Sequence, residues 1–187
     1  MVIVKRRDAT ANWEVRHVSI AAANSIQLNL INGAASATTV WNSTAPTSTV
    51  FSIGTSTNVN ANTGTYVAYC WAEIAGFSKF GSYVGNGSAD SPFIYLGFRP
   101  KFVLIKDSSI TPTGYNWRVI DASRLGYNPD NYLLFPSVSD AEGSTVVCDL
   151  LSNGMKLRTT SLGLNTNGET YIYMAFAENP FKNANAR

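Results

Sequence analysis

Charge is what this 187-residue chain is short of: 14% of its residues are Asp, Glu, Lys or Arg, against roughly 25% in an average soluble domain. Its polar surface must come from Asn, Ser, Thr and Gly, a composition suited to extracellular or virion-exposed proteins whose amides and hydroxyls meet glycans and neighbouring subunits. A net charge of +2 gives no basic footprint of the kind nucleic-acid binding needs. Lys5-Arg-Arg7, the one basic run, reads as a solvated strand end.

Metal-binding and redox residues are equally scarce. One His and two Cys cannot complete a four-ligand zinc site without carboxylates, and no CxxC or HxxxH spacing occurs. Cys70 and Cys148 are expected as buried free thiols, consistent with synthesis in a reducing cytosol. No apolar run approaches the roughly 20 residues that span a bilayer. The first residues carry charge by position five and are not expected to act as a signal peptide, so release on cell lysis is one remaining route outward. Gly81 to Gly87 lacks the Lys-Ser/Thr ending and following helix of a phosphate loop. Asn128-Pro-Asp-Asn131 lacks the spacing of an EF-hand loop. No cofactor is implied.

What the chain does have is a repeat. Val2-Ile-Val-Lys5 recurs as Val103-Leu-Ile-Lys106, Asn12-Trp-Glu-Val15 as Asn116-Trp-Arg-Val119, and Phe51-Ser-Ile53 as Met155-Lys-Leu157. The longest match pairs Val59 to Glu73 with Leu164 to Glu178, sharing Asn, Asn, Thr, Tyr, Ala and Glu. The offset grows from 101 (Val2 to Val103) to 105 (Glu73 to Glu178). Insertions thus fall between apolar blocks, as they do when blocks are strands and gaps are solvent-facing loops. The shared residues are apolar, aromatic or turn-forming, with no duplicated acid, base or ligand cluster, which favours a display or binding scaffold.

Strands are expected near 2–6, 12–18, 25–31, 38–41, 49–53 and 65–74, and again near 102–106, 116–121, 131–135, 145–151, 155–159 and 170–177. Alternation in Ile26-Gln-Leu-Asn-Leu30 would turn Ile26, Leu28 and Leu30 to the core. Asn32-Gly33, Asn153-Gly154 and Asn167-Gly168 suit positive-φ turns. No 3.6-residue stripe exceeds two turns. The fold class expected is all-β: a β-sandwich, jelly-roll or lectin-like, built from two related halves by internal duplication. Residues 1–75 form the first repeat and 76–187 the second, and the two can also join into one composite β domain. Gly76 to Pro100 has no upstream partner, so the first repeat lacks its opening. Beginning in a core strand suggests an excised fragment or a shortened gene, and an exposed edge that a neighbouring chain would cover.

The blocks Gly76-Phe-Ser-Lys-Phe-Gly-Ser-Tyr83, Gly85-Asn-Gly87, Gly97-Phe-Arg-Pro-Lys-Phe-Val-Leu-Ile-Lys106 and Thr170-Tyr-Ile-Tyr-Met-Ala-Phe-Ala-Glu-Asn-Pro-Phe-Lys182 carry a resemblance. They resemble a repeated β-rich domain of uncharacterised function common in bacteriophage virion proteins, especially tail-fibre-like proteins of marine phages, often beside concanavalin-like lectin domains. The resemblance covers essentially the whole chain and supplies no catalytic residues. It implies a virion location and other virion subunits as partners. A homo-oligomer follows from the fibre analogy, with a trimer as its number.

Enzymatic readings find little support. His17 and Asp121 occupy related positions, but no nucleophile elbow accompanies them. Glu73 and Glu178 are equivalent carboxylates at strand ends, expected to bind backbone or a Lys. Asp90, Asp130, Asp140 and Glu142 lie on loops, and a glycan hydrolase would need two of them about 5 to 9 Å apart. Recognition by aromatic and amide side chains remains. The densest such cluster is Tyr127, Asn128, Asp130, Asn131 and Tyr132, followed by Tyr83, Asn86 and Asp90. The expected function is a non-enzymatic receptor-binding module for a host-surface glycan or protein. A structural virion component is the alternative and a glycan depolymerase a third possibility.

Overall fold

The computed structural model describes residues 1–109, 115–124 and 128–180, with the backbone alone at 130 and 131. It is all-β and sandwich-like. The first half contributes β1 (Val2–Arg6), β2 (Trp13–Arg16), β3 (Asn24–Gln27), β4 (Ala35–Ser36) and β5 (Tyr66–Cys70), with single helical turns α1 (Thr38–Trp41) and α2 (Thr57–Asn60) before β5. The second half contributes β6 (Ser78–Val84), β7 (Phe93–Tyr95), β8 (Pro100–Asp107), β9 (Arg118–Asp121), β10 (Asp130–Leu133), β11 (Gly143–Leu151), β12 (Gly154–Leu157), α3 (Leu162–Asn165) and β13 (Thr170–Ala177). Three antiparallel sheets result, ordered β4-β3-β2-β1-β5, β6-β13-β8-β9 and β10-β11-β12-β7.

The sequence repeat reappears as strand register. Val2 pairs with Arg16 on β2 and with Cys70 on β5. Its counterpart Val103 pairs with Ile120 on β9 and with Ala175 on β13, the positions to which the drifting offsets carry Arg16 and Cys70. The bridge Val119 to Leu134 likewise matches the pairing of Val15 with Ile26. A one-residue slip would turn every core residue outward, so register preserved across both copies makes the duplication structural.

The β6-β13-β8-β9 sheet lies between the other two. On β13, Tyr171, Tyr173 and Ala175 join one core with Met155, Leu157, Val147 and Leu150 of the third sheet. Ile172 and Met174 face a second core with Ile3, Val15 and Ile26 of the first sheet. Burial on both faces explains the nearly unbroken apolar run of β13, since strand alternation is lost when neither face meets water. The halves therefore share a core. A third, smaller cluster of Val2, Val4, Val40, Trp41 and Val59 lies on the outer face of the first sheet, under α1 and α2.

Several local expectations need correction. Residues 38–41, rich in β-branched side chains, form a helical turn instead of a strand: the turn buries Val40 and Trp41 and lets the Trp41 indole N–H donate to Ser25 Oγ at 3.0 Å. Residues 49–53 form no strand, although their counterparts in β12 do. β12 is held between β11 and β7, whereas 47–50 closes into a turn through Thr47 N to Val50 O. β3 ends at Gln27, so Ile26 is buried and Leu28 and Leu30 only half-buried. Of Gly33, Gly154 and Gly168, the Asn-Gly glycines expected at positive φ, only Gly168 takes it, while Gly87 of a fourth pair, Asn86-Gly87, does so too. Gly154 instead serves close approach, because a Cβ there would strike the Ile94 carbonyl of β7. Cys148 is a buried thiol as expected, but Cys70 is exposed.

Candidate functional site

The residues proposed from sequence are mostly engaged in holding loops. Tyr127 lies outside the described residues, as do the side chains of Asp130 and Asn131. Asn128 docks its segment on β11 like an extra strand: Nδ2 donates to Leu150 O at 3.1 Å and Leu150 N donates to Oδ1 at 2.8 Å. Tyr132 is half-buried on β10. Tyr83 is a core residue. Its ring stacks on Tyr171 at 5.0 Å and its hydroxyl donates to Leu164 O at 2.8 Å, leaving no face for a ligand. Asn86 folds its own loop, donating to Asp90 O at 3.0 Å and accepting from Ser88 N at 3.0 Å. Asp90 pairs with Lys156 at 2.7 Å, and that partner holds its carboxyl below the usual range.

Groups with catalytic chemistry are similarly occupied. His17 Nδ1 accepts from Ser19 N at 3.1 Å, which leaves Nε2 as the donor to Tyr173 O at 3.0 Å. Burial pushes the imidazole down to about 4. Asp121 pairs with Arg124, which also reaches Glu142. Glu73 meets Lys79 at 3.6 Å, and its counterpart Glu178 meets Arg99 at 3.0 Å, an Arg where a Lys or backbone was expected. The buried Glu14 carboxylate accepts from Ser25, Gln27 and Asn58 and ties β2, β3 and α2 together. No group of three His, Cys, Asp or Glu among the described residues could hold a metal.

The two halves differ most where the first is open. β13 is paired on both sides, by β6 and β8, while β5 pairs with β1 and ends its sheet. Tyr171 to Ala175 are all buried, whereas Ala68 to Cys70 are exposed. Ile53 is 41% exposed where its counterpart Leu157 is 0%. On the inner face of the first sheet, at the rim of the core it shares with the middle sheet, half-buried Trp13 and Trp71 flank exposed Tyr69 in a parallel row with ring centroids 6.5 and 6.1 Å apart. Beside the row, Asn29 accepts from Trp13 N at 2.9 Å and donates to Asn12 Oδ1 at 3.0 Å. A cleft of about 640 Å³ opens between β5, Arg16, Phe51 and Phe80. Aligning the copies carries a signal of this patch: the positions of Met174 and Phe176 hold Tyr69 and Trp71 in the first copy, amphipathic aromatics that tolerate one wet side.

The architecture and the occupied polar groups define a duplicated all-β scaffold whose first half presents an unfinished edge and an aromatic surface. The chain belongs to the family described as a domain of unknown function, DUF7483, whose model matches residues 1–180. No curated protein and no solved structure matches it significantly.

Proposed function

We propose that the chain is a non-enzymatic assembly module of a virion protein of tail-fibre type, whose open first half is covered by a neighbouring polypeptide. The observation that carries this is the contrast between the copies. The positions that the second half holds in β12, between β7 and β11, are left exposed in the first, where Ile53 and Val50 are 41 and 62% exposed. Exposed apolar surface of this kind marks an interaction site. Light scattering over a concentration series tests it, with a stable homo-oligomer or a mass increase on adding other virion subunits as the expected outcome. A chain that stays monomeric and recruits no subunit overturns it.

A receptor-binding role is favoured by one feature, the aromatic row with its adjacent amides, since sugar rings pack on aromatic faces while amides reach their hydroxyls. On this reading Tyr69→Ala abolishes saturable binding to host-type cells or a glycan array, while Tyr132→Ala leaves it intact. The reverse pattern would return the site to the 127–132 segment.

A further inference from the structure

We infer that the open edge of β5 is a docking site for one strand-and-loop segment of the Ser78–Ser91 type, an aromatic strand followed by Gly-Asn-Gly, supplied by polypeptide outside these 187 residues. The inference rests on the assembly reading and names the occupant. It is argued from the second half, which already contains that segment bound to the equivalent of β5.

In the second half Tyr171 fixes the turn of α3: its hydroxyl donates to Leu162 O at 2.7 Å and accepts from Thr166 N at 2.9 Å. Tyr66 does the same for α2, donating to Thr57 O at 2.9 Å and accepting from Ala61 N at 2.6 Å. The receiving surface is therefore prebuilt in both halves. Asn165 donates to Thr159 O at 2.9 Å, and Asn60 donates to Gly54 O at 2.8 Å from the equivalent position. There the likeness stops. Asn165 is fully buried and also binds the loop after β6, accepting from Asn86 N at 2.8 Å and donating to Ser88 O at 2.8 Å. Asn60 is exposed where that loop would lie.

The second half also has Tyr83 of β6 stacked on Tyr171. At the matching place in the first half is a groove of about 310 Å³ lined by Val59, Asn60, Tyr66, Ala68 and Phe51. Transferring the β6–β13 register sets the incoming tyrosine opposite Tyr66 and the residue at the Lys79 position opposite Cys70. It also predicts a difference. Gly81 is obligatory against β13, because a Cβ there would lie 2.6 Å from the Tyr173 hydroxyl. Ala68 stands in place of Tyr173, so the first half accepts a larger residue at that position.

The test titrates a synthetic peptide of residues 76–92 into the full chain and follows alkylation of Cys70, the exposed thiol, with buried Cys148 as the internal reference. We expect saturable binding at one peptide per chain and at least a tenfold slowing of Cys70 alkylation. A Gly81→Ala peptide should protect equally well, which separates docking on β5 from exchange with the native β6. Tyr83→Ala in the peptide or Asn60→Ala in the chain should weaken binding at least tenfold. No protection at millimolar peptide, or equal protection by a scrambled peptide, overturns the inference. Cys70 that becomes protected with chain concentration alone would overturn the strand-segment occupant in favour of a second copy and leave the assembly reading standing. Cys70 open throughout in a chain that neither oligomerises nor recruits a subunit removes both.

Discussion

At the scale of single residues, His17 is a buried titratable group that links this fold to pH. Its neutral tautomer joins the halves, accepting a hydrogen bond from Ser19 N and donating one to Tyr173 O, with Phe80 packed 6.4 Å away. Protonation would place a donor on Nδ1 facing the Ser19 N–H, near Arg16 and the N-terminal amine, both of which disfavour the cation. The folded-state value of about 4 lies below the ordinary imidazole value of 6.5, so the unfolded chain binds more protons between those limits. Stability from this group is present above pH 6.5 and is lost as pH falls toward 4, by an amount on the order of 3 kcal/mol. Urea midpoints at pH 7.5 and 4.5 should therefore differ less in His17→Gln, which keeps a donor and an acceptor without titrating. An unchanged difference would assign the acid response to other groups. His17 directly follows the last residue of β2. Its bridging role was not legible, because Tyr173 is 156 positions away and the bond goes to a backbone atom that carries no side-chain signature.

Among the elements, the central β-hairpins and last strands of both copies were legible, because apolar runs of strand length recur at matching places in the repeat. The α1 turn was not, since Thr38-Thr-Val-Trp41 has strand composition and only tertiary packing of Trp41 on Ser25 makes the turn preferable. Within the second candidate cluster Asn86 and Asp90 hold their own loop, since Asn and Asp in a Gly-rich loop satisfy backbone groups as readily as a ligand, and Tyr83 alternates inward. The repeat also exposes a cost. In the turn from helix to last strand, Gly168 has φ +81°, and the matching position in the first copy is Thr63 at φ +60°. A β-branched residue pays roughly 1 to 2 kcal/mol for the left-handed region that glycine enters freely. Thr63→Gly is accordingly expected to stabilise the chain by about 1 kcal/mol. Gly168→Ala should cost a similar amount, through the backbone alone, because nothing lies within 4 Å of a Cβ there. Chemical denaturation of the two variants checks both signs, and a destabilised Thr63→Gly would show that the Thr side chain contributes more than its strain.

For the molecule as a whole, the duplication was written in the sequence while the choice between two domains and one composite domain stayed open, because alternation says which residues turn inward without saying which sheet they meet. The middle sheet joins the halves physically. Trp117 of the second donates to Gln27 O of the first at 2.8 Å, Lys106 donates to Ile31 O at 2.6 Å, and Leu104 packs among Ile3, Val15 and Ile26. Removing the outer layers of either half would strip one face of the middle sheet, so neither half has a separate way to unfold while the other keeps its packing. One cooperative transition is expected. Cys148, in the core between the second and third sheets, reports the second half by alkylation in urea, and fluorescence of Trp41, buried in the first, contributes to the signal of that half. Leu104→Ala, at the shared core, should cost about 2 to 5 kcal/mol and move both midpoints together. A Cys148 midpoint that stays fixed while the fluorescence midpoint shifts would mean that the halves are separate domains and that the shared cluster is a contact between them.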